Sequence, residues 1–393
     1  MVYWIIVVVV GTLLFSCSGN QTYKNLEAKQ AKNENIEFEI EDFEIRIDSL
    51  TYPSYSIFQN IWVNDSSYLL GLNRRMNSID VFNLTSRQFS KHINIDRKGP
   101  DGFDQISSFY MYNWDSIFLF NFIQLAIADS RGVITAKWDL LESGIQDFEG
   151  SASFGTDLGF GLHYSKQRNS VFLKYVPRDV GFGSNEFYAR PFVAELDLDS
   201  LHLETIPFQY SKYLKENYVG AMDMPFLSFY GNRIICCFTG ESNIYVYDLE
   251  NEQTRVYGGR SAYTRSIASP ITSNAVNEEI IVHRAESASY FNVWYDPFRN
   301  LYFRFHFGDI KHQYSEDVNE TFRHKALYLM IFNMNFELIR EIELEKYLYL
   351  PEFYGVTKEG IVLNANHDRN MDLEGKYSKF RLLKMRFTGQ KDN

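Results

Sequence analysis

The chain has 393 residues, with 39 Lys and Arg against 50 Asp and Glu, and a formal net charge of −11. Its 45% hydrophobic and 17% aromatic content supplies a large buried core and excludes an intrinsically disordered chain. An acidic balance without a basic block excludes nucleic acid as a partner, and three cysteines are too few for a disulfide scaffold or a four-cysteine zinc site.

Val2–Ser16 is an uncharged apolar run that ends in Leu14-Phe15-Ser16-Cys17. It is shorter than the ~20 residues a helix needs to span a bilayer. Its length suits the apolar region of a secretory signal, although no Lys or Arg precedes it. The boundary resembles a bacterial lipobox, in which a small residue precedes a cysteine that is acylated and becomes the mature N-terminus. Phe15 departs from the small or β-branched residue usual there. The resemblance implies a signal peptide over residues 1–16, lipidation of Cys17 and membrane attachment through acyl chains. Residues 17–35 are polar and expected to form a flexible tether. Such a protein is expected in the cell envelope, lipid-anchored at the outer membrane and facing the periplasm or the surface.

From Ile36 the chain reads as all-β. Ile36–Ile47 alternates apolar and charged residues, as a strand with one buried face does. Short β-rich runs then come in fours: 57–64, 68–73, 78–84 and 88–94; 106–112, 116–120, 123–129 and 133–140; 159–165, 170–177, 188–198 and 201–207; 224–230, 233–238, 243–249 and 253–258; 289–295, 301–307, 325–333 and 337–344. A last group offers three: 353–356, 360–363 and 379–387. In five groups the third run ends on Asn83, Asp129, Asp197, Asp248 or Asn333, residue types that suit a hairpin corner. A repeated four-strand unit predicts a six-bladed β-propeller over residues 36–389, closed by residues 36–47 pairing with the short last blade. Seven blades is the alternative, because Glu279–Arg284 contains one extra strand-like run.

Arg97-Lys98-Gly99-Pro100-Asp101-Gly102-Phe103 resembles the inter-blade loop of TolB-like and NHL-like six-bladed propellers of Bacteroidota lipoproteins. Trp294-Tyr295-Asp296-Pro297-Phe298-Arg299-Asn300-Leu301-Tyr302-Phe303-Arg304 is similar to a pattern in an uncharacterised lipoprotein family of that group. The resemblance implies an envelope lipoprotein with a propeller fold and carries over no catalytic residue.

No zinc-protease, nucleophile-elbow, phosphate-loop or EF-hand motif is present. Cys236 and Cys237 are neighbours on one strand, so their side chains point to opposite faces and read as buried free thiols. On 301–307, Leu301, Phe303, Phe305 and Phe307 share one face, and Tyr302, Arg304 and His306 the other. A guanidinium between blades must be paired or reach the channel. Arg284, Tyr302, Arg304 and His306 are the candidate ligand-binding residues, with 260–288 and 308–324 as long connections of the kind that carry function. The expected function is a noncatalytic scaffold that binds an envelope protein, peptide or glycan without a cofactor. The alternative is a metal-dependent, lactonase-like propeller hydrolase or lyase using calcium.

Overall fold

The computed structural model describes residues 26–31, 35–99, 101–140, 152–155, 161–273, 275–313, 317–370 and 375–388. The expected signal peptide, residues 1–16, and Cys17 lie outside them. The chain starts with β1 (Asn35–Arg46) and then builds a first sheet from β2 (Phe58–Val63), β3 (Ser66–Asn73), β4 (Ser78–Asn83) and β5 (Gln88–Asn94). The second holds β6 (Ser108–Asn113), β7 (Ser116–Phe120), β8 (Gln124–Ala128) and β9 (Ile134–Asp139). In the third, β10 (Ala152–Gly155) and β11 (His163–Ser165) share the edge of β12 (Ser170–Pro177). It continues after α1 (Asn185–Ala189) with β13 (Pro191–Asp197) and β14 (Leu203–Gln209).

After α2 (Lys212–Glu216) comes the fourth sheet: β15 (Pro225–Tyr230), β16 (Arg233–Phe238), β17 (Ile244–Asp248) and β18 (Gln253–Tyr257). α3 (Asn277–Glu286) leads to the fifth, β19 (Ser289–Asp296), β20 (Leu301–Phe307), β21 (Leu327–Phe332) and β22 (Leu338–Glu343), with α4 (Val318–Arg323) between β20 and β21. The sixth combines β23 (Leu350–Val356), β24 (Gly360–Asn364) and β25 (Tyr377–Thr388) with β1, in the order β1-β25-β24-β23. All pairings within sheets are antiparallel, and the six sheets are the blades of a propeller.

The extra run Glu279–Arg284 is therefore not a seventh blade. It lies in α3, whose start is held by the Val276 amide donating to Glu279 Oε2 at 3.1 Å. Acidic residues in its first turn and Arg284 in its last suit the helix dipole.

Each hairpin closing the first five blades begins with a side chain accepting from the turn backbone. Asn83 accepts from Ser86 (2.8 Å), Asp129 from Arg131 (2.8 Å), Asp197 from Ser200 (2.7 Å), Asp248 from Glu250 (3.0 Å) and Asn333 from Asn335 (3.0 Å). Each corner then ends in one left-handed residue: Arg87, Gly132, Leu201, Glu252 or Phe336. Only Gly132 must be glycine, because a Cβ there would sit 1.9 Å from the Asn94 carbonyl oxygen.

The core is divided into six apolar layers, one between each pair of neighbouring blades. Cys236 belongs to the layer between the third and fourth blades and Cys237 to the next, both as free thiols.

β1 pairs with β25 from Asn35↔Thr388 to Arg46↔Tyr377. Acidic side chains on both faces of β1 meet basic ones of β25: Lys384 lies on Glu41 at 2.9 Å and Arg386 on Glu39 at 2.6 Å, and on the other face Arg381 lies on Asp42. The stretch expected to be a free tether is partly docked. Ala31 N–H donates to the Leu338 carbonyl (2.9 Å), Leu338 N–H to that of Lys29 (2.6 Å), and Leu26 N–H to Asn243 Oδ1 (3.1 Å). Residues 26–31 thus strap the fourth blade to the fifth.

Candidate functional site: the central channel

Successive strands run antiparallel, so every connection from a second to a third strand, and from one blade to the next, emerges on the same face of the disc. All four helices lie in such connections, and this helix-bearing face frames one mouth of the channel. The cavity along the axis measures about 520 Å³, within the range of small-molecule sites. Its wall is chiefly aromatic, including Phe58, Trp62, Phe109, Phe229, Trp294 and Tyr354. Phe58, Trp294 and Tyr354 pack as a mutual cluster with ring centroids 5.1–5.8 Å apart. His163 stacks on Phe229 at 4.1 Å, and burial lowers its pKa to about 3, so it lines the wall as a neutral ring.

Several polar side chains of the wall are satisfied by the barrel itself. Gln59 exchanges hydrogen bonds with the Met111 backbone at 2.7 and 3.1 Å. Asn60 accepts from the Val356 amide at 2.9 Å, and the Ser228 hydroxyl donates to the Val293 carbonyl.

Two inner strands differ. The pairing of β19 slips between Tyr290↔His306 and Val293↔Arg304, a bulge at Phe291-Asn292. β23 loses register between Leu350↔Asn364 and Gly355↔Val362, and within that gap Phe353 has φ 55°. Bulges re-aim side chains, and a left-handed aromatic residue costs backbone energy. These irregularities hold the unpaired polar groups. Asn292 is 9% exposed, and neither its Oδ1 nor Trp294 Nε1 has a partner among the described residues. Glu352 lines the cavity, burial raises its carboxyl pKa, and it forms no side-chain hydrogen bond or ion pair among the described residues. A buried polar group without a partner costs about 1–3 kcal/mol, so Asn292 and Trp294 are a cost to folding, whereas Glu352 is half-buried in the cavity wall.

Of the residues expected to bind, only Arg284 reaches the channel. It sits exposed at the end of α3, beside Phe322 of α4. Tyr302, Arg304 and His306 face the fourth blade instead, because the axis is lined by first strands and β20 is a second strand. Tyr302 stacks on Phe336 at 4.5 Å. Arg304 is 0% exposed and donates to the carbonyls of Ser242 (2.8 Å) and Gly259 (2.5 Å), beneath Tyr290. A Cβ on Gly259 would lie 2.6 Å from its guanidinium, which explains the glycine.

His306 is clamped between Tyr290 and Tyr328 with Nε2 2.9 Å from Glu341 Oε1; burial lowers its pKa. Arg304 thus joins the fifth blade to the fourth, whereas the ring and carboxylate partners of His306 all belong to the fifth. The channel residues that sequence reasoning missed are Glu352, Asn292 and Trp294. Their only signal was a polar or indole side chain within an otherwise apolar inner strand. Among the described residues, no three His, Cys, Asp or Glu side chains converge as metal ligands.

Residues 34–343 match the family model described as a domain of unknown function, DUF4221. The chain belongs to the DUF4221 family. A crystal structure of a DUF4221 member from Bacteroides vulgatus ATCC 8482 is similar over 91% of this chain and all of that one, with 21% identity and a TM-score of 0.76. A putative exported protein from Bacteroides fragilis NCTC 9343 is similar over 92% of this chain and 99% of its own, at 12% identity and a TM-score of 0.55. Both likenesses concern the fold. No curated protein matches the chain.

Proposed function

We propose that this DUF4221 protein is a noncatalytic envelope lipoprotein, anchored through Cys17 at the outer membrane, whose channel binds a small amphipathic ligand such as a peptide or glycan fragment. The observation that carries the reading is Glu352, a desolvated and unpaired carboxyl in an aromatic cavity. An apolar wall with a few converging polar groups is the usual make-up of a ligand pocket. The channel would take an apolar or aromatic body against Phe58, Trp294 and Tyr354, and a hydrogen-bond donor or cation against Glu352. Aromatic faces also favour a cation.

The test is equilibrium binding of aromatic tripeptides with and without a lysine. The lysine-bearing peptides should bind saturably, and Glu352→Gln and Trp294→Ala should each weaken them at least tenfold, while Tyr302→Phe leaves them unchanged. Absence of saturable binding, or binding indifferent to Glu352 and Trp294, would sink the reading.

A further inference from the structure

The exposed apolar side chains of the disc are unevenly distributed. Of the thirteen large hydrophobics exposed among the described residues, eight lie in connections on the helix-bearing face. They include Phe122 and Ile123 after β7, Phe182 before α1, and Tyr263, Val276 and Ile281 before β19. Phe182 is 67% exposed and Val276 61%. On the opposite face there are two, Tyr112 and Val133, and the other three lie along rim strands. Scattered exposed hydrophobics need no explanation, but a concentration on one face points to a surface that is covered.

The N-terminal strap indicates what covers it. Leu26 is tied to Asn243, which precedes β17, and Glu27 pairs with Arg260 at 3.0 Å. The Glu27 carbonyl lies so close to Gly258 that a Cβ there would be 2.1 Å from it. Asn243, Gly258 and Arg260 all belong to connections on the helix-bearing face, so the chain leaves the disc on that face. Eight residues lie between Cys17 and Leu26, a reach of roughly 30 Å fully extended.

We infer that the helix-bearing face, with the channel mouth beside Arg284, is seated on the lipid bilayer, its exposed Phe, Tyr, Val and Ile side chains entering the headgroup region. The inference rests on the membrane anchor proposed above. A short leash brings this face to the membrane at high effective concentration, and apolar side chains projecting from loops then gain by leaving water.

The test uses the full chain purified from bacterial membranes, in Phe182→Cys, Val276→Cys and Val133→Cys variants carrying an environment-sensitive fluorophore. Cys236 and Cys237 are buried, so the introduced thiol takes the label. The proteins are mixed with vesicles of phosphatidylethanolamine and phosphatidylglycerol and separated by flotation. The expected result is flotation of all three, with at least a twofold rise in emission at positions 182 and 276 and none at 133. Flotation with equal or absent changes would overturn the orientation while keeping the anchor, and would leave this face to a protein partner. Failure to float would overturn the anchor and, with it, the orientation.

Discussion

The seam between the sixth and first blades and the seam between the fourth and fifth both bury charge, and they neutralise it in opposite ways. At ring closure Asp80, fully buried on β4, accepts from Tyr55, from Asn73 (2.9 Å) and from Ser78 (3.1 Å). His92 joins Asp80 (2.7 Å) to Asp48 (2.9 Å), just beyond the closing strand β1. Between the fourth and fifth blades Arg304 forms no ion pair among the described residues. It is held by neutral carbonyls, sulfur and an aromatic face, and its Nε has no partner. The first seam closes on a titratable bridge that touches solvent. The second closes on a permanent charge, with a histidine kept neutral beside it within the fifth blade. Both are crossed by the N-terminal segment, as a full strand at one and a short strap at the other.

The largest effect expected is from removing that segment in two steps. Deleting residues 18–48 takes away β1 and Asp48, leaves β25 as an open edge and uncovers the apolar side chains that Ile36 and Ile45 pack against, such as Leu383 and Phe380. The propeller should lose its cooperative thermal transition. Deleting residues 18–34 removes the strap's few hydrogen bonds and its exposed Glu27–Arg260 pair, for a loss of about 1–3 kcal/mol. Calorimetry showing equal losses would mean that closure by β1 contributes nothing particular.

Next in size is the charge of the second seam. Arg304→Ala should cost about 3 kcal/mol or more, since it leaves the Ser242 and Gly259 carbonyls unsatisfied in a new cavity. Arg304→Met, which keeps most of the volume, should cost less. Denaturant unfolding giving equal and small changes for both would show that the guanidinium is not what joins these blades.

What could be read in the sequence follows from where each interaction is made. The alternation of Ile36–Ile47 and the Asn or Asp at the third-strand ends are local signals, and the structure uses both locally. The strap was hidden because residues 26–31 dock through backbone groups, which polar composition does not report. The run Ile280-Ile281-Val282 has strand-like side chains, but the caps on either side of it decide for helix. On the sequence Arg304 must be paired or reach the channel, and His306 is its neighbour on the same face; both are paired inside the protein. The partners are neutral carbonyls for one and Glu341 for the other, and they lie far away in sequence. The channel groups were least legible, because a bulge at Asn292 or a left-handed Phe353 depends on how a neighbouring strand pairs.

The smallest effect separates the two seams by pH. His92 feels burial, which opposes its charge, but the hydrogen bonds to Asp80 and Asp48 prevail and raise its pKa above the ordinary value of 6.5. Its contribution is complete below about pH 6.5 and is lost as pH rises through the higher folded value. Asp48, brought to about 2 from 3.8 with His92 and Thr51 as its side-chain donors, contributes above about pH 4 and loses this only as pH falls through 2. The bridge is therefore strongest between roughly pH 4 and 6.5. His306 behaves in the opposite sense. Burial lowers its pKa, so below pH 6.5 the unfolded chain takes up a proton that the folded one refuses, and stability falls with acid. His92→Gln should cost about 1 kcal/mol at pH 6, and the difference from wild type should shrink by pH 9. His306→Gln should reduce the acid-side loss of stability and leave the alkaline side as it was. Melting temperatures across pH 5–9 that shift in parallel for both variants would remove the distinction between the two seams.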